Sequence, residues 1–124
     1  YFDILTYDLD ESKCNSTFFD IANCNVVFIC LPTPMKKNGE CDTSIIKNTI
    51  KELSDYISVD TIVIKSTITP GTTQRLNSLY PNMNIVFNPE FLTERNAVKD
   101  YENQNRIILG GPRPATTELK QIFC

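Results

Sequence analysis

The sequence predicts an α/β fold, a parallel sheet with flanking helices. Three observations carry that prediction. Short β-branched and aromatic runs recur along the chain and alternate with amphipathic stretches of helical period. One run, residues 25–31 (NVVFICL), is apolar without alternation, as in a strand buried on both faces. Each run stops at proline, glycine or a polar loop, and no internal repeat or low-complexity tract interrupts the order. Strand, helix, strand, helix, strand is the pattern of right-handed crossovers.

Taken in order, residues 2–7 form a short apolar run ending at Asp8 and predict a strand. The next strand is 25–31, closed by Pro32. Asp42, Thr43 and Ser44 then supply helix-capping side chains, and Ile46, Ile50, Leu53 and Ile57 make one apolar stripe, predicting a helix over 43–57. Residues 61–64 are a strand. Pro70-Gly71 opens a helix over 71–80 whose apolar residues are Leu76, Leu79 and Tyr80. Residues 84–87 are a strand stopped by Asn88-Pro89. A short helix is predicted over 93–101, a strand over 106–109 ended by Gly110-Gly111, and a last helix over 116–123. The runs at 25–31, 61–64, 84–87 and 106–109 are expected to lie parallel, the first three as neighbours.

At 124 residues the chain has the length of one domain and can bury a core without metal or disulfide staples. A net charge of -3, from 12 basic and 15 acidic residues, argues against a surface for nucleic acid. No apolar run reaches membrane-spanning length. With no histidine and no Cys-x-x-Cys, a metal site is not expected, and neither a Ser-His nor a Cys-His nucleophile can be built. Cys14, Cys24, Cys30, Cys41 and Cys124 are odd in number, which suits a reducing cytoplasm. Cys30, within the apolar run, reads as a small buried hydrophobe.

In open parallel sheets ligands bind beyond the carboxyl ends of the strands. Three successive strand ends carry conspicuous loops: Pro32-Thr33-Pro34; Lys65-Ser66-Thr67 with Pro70-Gly71; and Asn88-Pro89-Glu90-Phe91-Leu92-Thr93-Glu94. Together they offer hydroxyls, open backbone amides and two carboxylates at one sheet edge. Singly, each loop is an ordinary strand terminator, helix start or solvated turn; their recurrence is the signal. Thr33, Thr67 and Glu90 are expected to converge there. Asp8 reads either as an acid for the ribose hydroxyls of a dinucleotide or as one more acid in a turn with Asp10 and Glu11.

These residues bring a resemblance into view. VVFICLPTP (26–34), VIKSTITPGTT (63–73) and NPEFLTERNAVKDYENQNRIILGG (88–111) closely resemble the UDP-glucose/GDP-mannose dehydrogenase family, in that family's order and spacing. The resemblance implies a Rossmann-like sheet and NAD-dependent oxidation of a sugar-nucleotide hydroxymethyl group to a carboxylate through a cysteine thioester, as used in polysaccharide biosynthesis. It implies cofactor contacts for Asp8, Lys13, Leu31, Pro32, Thr33, Pro34, Ser66, Thr67 and Glu94. It implies substrate contacts for Glu90, Phe91, Leu92, Thr93 and Glu94. Thr67 would hold the hydrolytic water and Glu90 would assist as base. UDP-glucose is the substrate the resemblance favours, with GDP-mannose the alternative. A non-catalytic remnant or binding module is the other reading, and a hydroxy-acid dehydrogenase is argued against by Asn-Pro-Glu-Phe-Leu.

Two departures stand out. Arg95 occupies a position where many family members have glycine, and no G-x-G-x-x-G occurs among the four glycines. The resemblance therefore implies a partial NAD-binding domain over 1–124, missing its first strand and Gly-rich loop, with the C-terminal substrate domain and its catalytic cysteine also absent. The isolated chain is expected to be inactive and its N-terminus weakly anchored. The complete enzyme is expected to be a homo-oligomer that takes a nucleotide sugar and binds neither nucleic acid nor membrane.

Overall fold

A computed structural model describes residues 2–56 and 58–123. Three strands, β1 (Val26–Ile29), β2 (Thr61–Ile64) and β3 (Asn84–Phe87), form one parallel sheet in the order β1-β2-β3. Val27 lies beside Ile62 and Ile62 beside Ile85, so alternate residues of all three strands share a face. Two helices, α2 (Ser44–Leu53) and α3 (Thr72–Leu79), make the crossovers.

The first face carries Val27, Ile29, Ile62, Ile64 and Ile85, packed with Ile46, Ile50 and Leu53 of α2 and Leu76 of α3. Most of these side chains are fully buried. Each such burial stabilises the fold by about 1.5–3 kcal/mol, so this layer dominates the core. On the second face Val63 and Val86 meet Ala115 and Leu119 of the final helix, α5 (Arg113–Phe123). Phe28 reaches across to Phe123 of α5, ring to ring at 6.2 Å, while remaining 38% exposed. The strand at 25–31 is thus shorter than expected and buried fully on one face only. Cys30, expected to be buried, is an exposed residue.

Helix starts are set by local chemistry. Before α2 the capping acceptor is Asp42, whose Oδ1 takes the Ser44 amide at 2.9 Å, while the Thr43 side chain makes no cap. The Ser44 hydrogen bonds hold the Asp42 carboxyl below the ordinary aspartate value, because they favour the ionised form. Gly71 precedes α3 with φ 85, the left-handed region that glycine enters without penalty. Leu79, expected on the apolar stripe of that helix, is 64% exposed at its last turn. Ile57 and Cys124, both named in the sequence reading, lie outside the described residues.

Two expected strands do not form. Residues 2–7 are exposed and without strand pairing, with Tyr7 against Phe18 at 5.6 Å. Phe18 belongs to α1 (Phe18–Ala22) and leads to Tyr56 and the core. This aromatic chain and hydrogen bonds linking Ile4 and Thr6 with Lys13, Asn15 and Ser16 tie the segment down, among them Asn15 Nδ2 to Ile4 O at 3.0 Å and Ser16 Oγ to Thr6 O at 2.9 Å. Residues 106–109 run without a ladder, and only Gly110 pairs, antiparallel, with Phe87. The short helix expected at 93–101 forms as a 3-10 turn, Glu94–Asn96, followed by α4 (Ala97–Glu102). The last helix begins at Arg113, with Pro114 tolerated in its first turn, where amides lack intrahelical partners.

The two sheet edges differ. On β3 the outward groups are satisfied: Phe87 exchanges two 2.8 Å bonds with Gly110, and Ile85 exchanges two with the Asn77 side-chain amide at 2.9 and 2.7 Å. On β1, Asn25 and Ile29 accept from β2, which by strand alternation turns the backbone groups of Val26 and Phe28 to the open side.

Candidate functional site

The site lies one step past the strand ends. The Lys65 amide donates to Ile29 O and the Asn88 amide to Ile64 O, both at 2.9 Å, so the ladder continues one level beyond the strands. Cys30, Lys65 and Asn88 occupy that level in register. Leu31, Ser66 and Pro89 follow on the opposite face, with Ser66 Oγ 3.5 Å from Ile29 O.

Three loops leave this level and are tied to one another. After Leu31, Pro32, Thr33 and Pro34 lead into a small antiparallel excursion, closed by the Met35–Cys41 bridge and by the Asp42 amide on Pro34 O at 2.8 Å. Cys41 Sγ then donates to Thr67 O at 3.5 Å, joining the loop after β1 to the loop after β2. Lys65 Nζ joins the loop after β3 through Asn88 Oδ1 at 2.9 Å and Glu90 Oε1 at 3.2 Å. All three loops therefore gather at the carboxyl edge. Among the described residues no hydrogen bond joins Thr33, Thr67 and Glu90 directly, and none engages the Thr33 or Thr67 hydroxyl.

Beyond Glu90, the ring of Phe91 carries the Arg106 guanidinium 5.2 Å from its centroid. Leu92 is half-buried. Thr93 gives its amide and hydroxyl to Asp100 Oδ2 at 2.9 and 2.7 Å, closing the segment on itself, and Glu94 is exposed. The Thr93 bonds hold the Asp100 carboxyl below the usual aspartate value.

Asp8 and Lys13 belong to the N-terminal segment, and no hydrogen bond or ion pair among the described residues joins them to these loops. Asp8 Oδ1 accepts the Asp10 amide at 2.9 Å, a turn-forming bond. Lys13 Nζ pairs with Asp10 Oδ2 at 3.3 Å, an exposed contact worth little to stability. In this structure both residues do what a solvated turn requires.

At this edge the electrostatic perturbation falls on Cys30. Burial pushes the Cys30 thiol up, Glu90's carboxylate adds to that and Lys65's ammonium opposes it. A thiol held protonated is a poor nucleophile, which argues against Cys30 as an attacking group. Exposure of the residue as a whole and burial of its thiol are compatible at an edge strand whose backbone faces outward. Lys65 and Asn88 are the residues that sequence reasoning passed over. Their signal was positional: each falls one place past its strand, in the same register. Among the described residues no three His, Cys, Asp or Glu side chains form a metal-binding group, and no helix is long and apolar enough to cross a membrane.

A parallel sheet with crossover helices, and hydroxyl- and carboxylate-bearing loops collected at its carboxyl edge, defines a dinucleotide-binding α/β domain. Residues 6–123 match the UDP-glucose/GDP-mannose dehydrogenase family, NAD binding domain. The chain belongs to that family. It is 35% identical to a UDP-glucose 6-dehydrogenase of Rickettsia bellii, over 85% of this chain and 26% of that protein. It is also 38% identical to a putative UDP-glucose 6-dehydrogenase of Bacillus subtilis, over 70% of this chain and 22% of that protein. The GDP-mannose dehydrogenase of Pseudomonas aeruginosa superposes with a TM-score of 0.70 at 28% identity, covering 83% of this chain and 27% of that one. The UDP-glucose dehydrogenase of Pyrobaculum islandicum gives 0.71 at 26%, covering 86% and 27%. The chain thus spans about a quarter of the length of these relatives.

NAD is the cofactor of the domain, and the residues present fit part of it. The Thr33 and Thr67 hydroxyls at the carboxyl edge, which bond to no other described residue, suit its polar nicotinamide and ribose groups. The pyrophosphate, usually cradled by a Gly-rich loop, has no matching motif in this sequence.

Proposed function

We propose that this chain is a partial NAD-binding domain, over residues 1–124, of a UDP-glucose 6-dehydrogenase that converts UDP-glucose to UDP-glucuronate. The observation that carries the reading is the joining of three strand-end loops, through Cys41–Thr67 and Lys65–Glu90, at the edge where such sheets bind dinucleotides. The relatives named for UDP-glucose favour that substrate over GDP-mannose.

In this reading Leu31, Pro32, Thr33, Pro34, Ser66, Thr67 and Glu94 line the nicotinamide half of the cofactor. Asp8 and Lys13 serve its adenosine end, once the Asp8 turn opens toward the ribose. NAD, when bound, supplies hydride acceptance. The chain's own residues orient and hydrolyse. Phe91, Leu92 and Thr93 present backbone groups to the sugar nucleotide, and the Thr93–Asp100 clasp keeps that segment in one shape. Thr67 positions a water and Glu90 takes its proton. The water oxygen bonds to the thioester carbon, the carbon–sulfur bond breaks, and the sulfur leaves as thiolate of a cysteine outside this chain. A reducing cytoplasm suits the free thiols Cys14, Cys24, Cys30 and Cys41.

The test is Glu90→Gln in the complete enzyme. Thioester hydrolysis, followed in a single turnover, should slow about 100-fold or more, since general base catalysis contributes roughly 10²–10⁴-fold. The NAD dissociation constant should move less than twofold. Loss of cofactor affinity with hydrolysis intact would overturn the assignment. Turnover of GDP-mannose in preference to UDP-glucose would overturn the substrate.

A further inference from the structure

Resting on the reading of Glu90 as the hydrolytic base, we propose that Lys65 is a positioning residue that holds Glu90 by one oxygen, with Asn88 as its buried anchor. Lys65 stands at the end of the central strand, its side chain only 18% exposed. An ammonium withdrawn from water must find partners or lose its charge. It finds two, Asn88 Oδ1 at 2.9 Å and Glu90 Oε1 at 3.2 Å.

Asn88 is 3% exposed, and its Nδ2 donates to Ile108 O at 2.9 Å. That bond fixes which end of the amide faces Lys65, since only the oxygen can accept from an ammonium. The anchor is rigid on both sides, because the Lys65 and Asn88 backbones extend the ladder by one rung. Glu90 follows two residues after Asn88, across Pro89, whose ring restricts the backbone. The ammonium therefore clamps Oε1 and leaves Oε2 as the oxygen that takes the proton of water.

Two alternative roles fit the geometry less well. A surface ion pair is worth about 0–1 kcal/mol, and the Glu90 side chain is 44% exposed, so stability alone does not account for a lysine anchored this deeply. Direct contact of Lys65 with substrate is opposed by the space around it. The crevice lined by Lys65, Asn88, Glu90, Leu92 and Tyr101 leaves about 10 Å³ for the centre of a water-sized sphere. That is at the threshold for one water, too small for a sugar or phosphate group. Lys65 thus acts on the reaction through Glu90.

The experiment is a double-mutant cycle in the complete enzyme, using Lys65→Met, Glu90→Gln and the pair, with single-turnover hydrolysis and NAD affinity as readouts. Lys65→Met should slow hydrolysis about 10- to 100-fold, as misplacing a catalytic group does, with NAD affinity unchanged. Lys65→Arg should recover most of the rate. In the Glu90→Gln background Lys65→Met should change the rate less than twofold, an outcome that a merely structural lysine does not produce. Equal slowing in both backgrounds would overturn the proposal while leaving Glu90 as base. A Glu90→Gln enzyme that hydrolyses at the normal rate would remove the base and the proposal together. Should Lys65→Met not fold, Asn88→Ala keeps the ammonium but frees it, and must slow hydrolysis in the same Glu90-dependent way.

Discussion

Asn77→Ala probes how the sheet is finished at its β3 edge. The Asn77 amide accepts from Ile85 N at 2.9 Å, donates to Ile85 O at 2.7 Å and donates to Thr73 O at 3.0 Å. It thus replaces, for one residue, the strand that is not there. Two backbone bonds at about 0.5–1.5 kcal/mol each give roughly 1–3 kcal/mol. Stranding both Ile85 groups in a dry interior would raise the loss by about 1–3 kcal/mol per group. The structure decides between these. Asn77 lines an open groove of about 580 Å³ with Gly71, Thr73, Ser78 and Gly110, so water reaches Ile85 once the side chain is gone. The loss should therefore be about 1–2 kcal/mol. In urea, with a slope of about 2 kcal/mol/M, the midpoint should fall by roughly 0.5–1 M. Hydrogen exchange at the Ile85 amide should quicken about tenfold, since 1.4 kcal/mol is a factor of ten. Asn77→Asp should keep the bond from Ile85 N but set a carboxylate against Ile85 O, and should be no better than alanine. An unchanged midpoint with unchanged Ile85 protection would refute the edge-capping account.

Three further outcomes follow from local geometry. Gly111→Ala should destabilise by about 1–3 kcal/mol, because its Cβ would meet Val86 Cγ2 at 2.9 Å and Ile85 O at 3.0 Å, whereas Gly110→Ala, with its nearest contact at 3.9 Å, should be milder; equal melting temperatures would contradict this. Ile62→Ala, which empties a fully buried site at the centre of the sheet, should cost about 2–5 kcal/mol in chemical denaturation, and a loss under 1 kcal/mol would mean the layer is loosely packed. The Thr93 clasp depends on ionised Asp100, whose pKa is depressed by the Thr93 hydroxyl and amide. Its contribution is full above the unfolded aspartate value of about 3.9 and is lost as pH falls through the lower folded value. The Thr93 amide resonance should therefore titrate with a midpoint below about pH 3.9; a midpoint at or above that value, or none, would discount the clasp.

What the sequence determined by itself was everything that depends on neighbours along the chain. The β-branched runs at 61–64 and 84–87 became β2 and β3, and the stripe Ile46, Ile50, Leu53 became the buried side of α2. Proline- and glycine-bearing loops at three strand ends announced the carboxyl edge, and the quoted motifs announced the family. Tertiary structure decided the rest. An apolar run becomes a strand only if another strand is beside it, so residues 2–7 and 106–109, with strand-like composition, stayed unpaired. Phe28 and Cys30 sit in an apolar run, but on an edge strand they are covered only in part, Phe28 by the Phe123 ring. In the sequence Lys65 stood in a strand-end loop with no role of its own. Parallel register set it at the same level as Asn88 and within 3.2 Å of Glu90, two loops away in sequence. Local pattern specifies which residues can pair or bury; only the packing of distant segments supplies the partner.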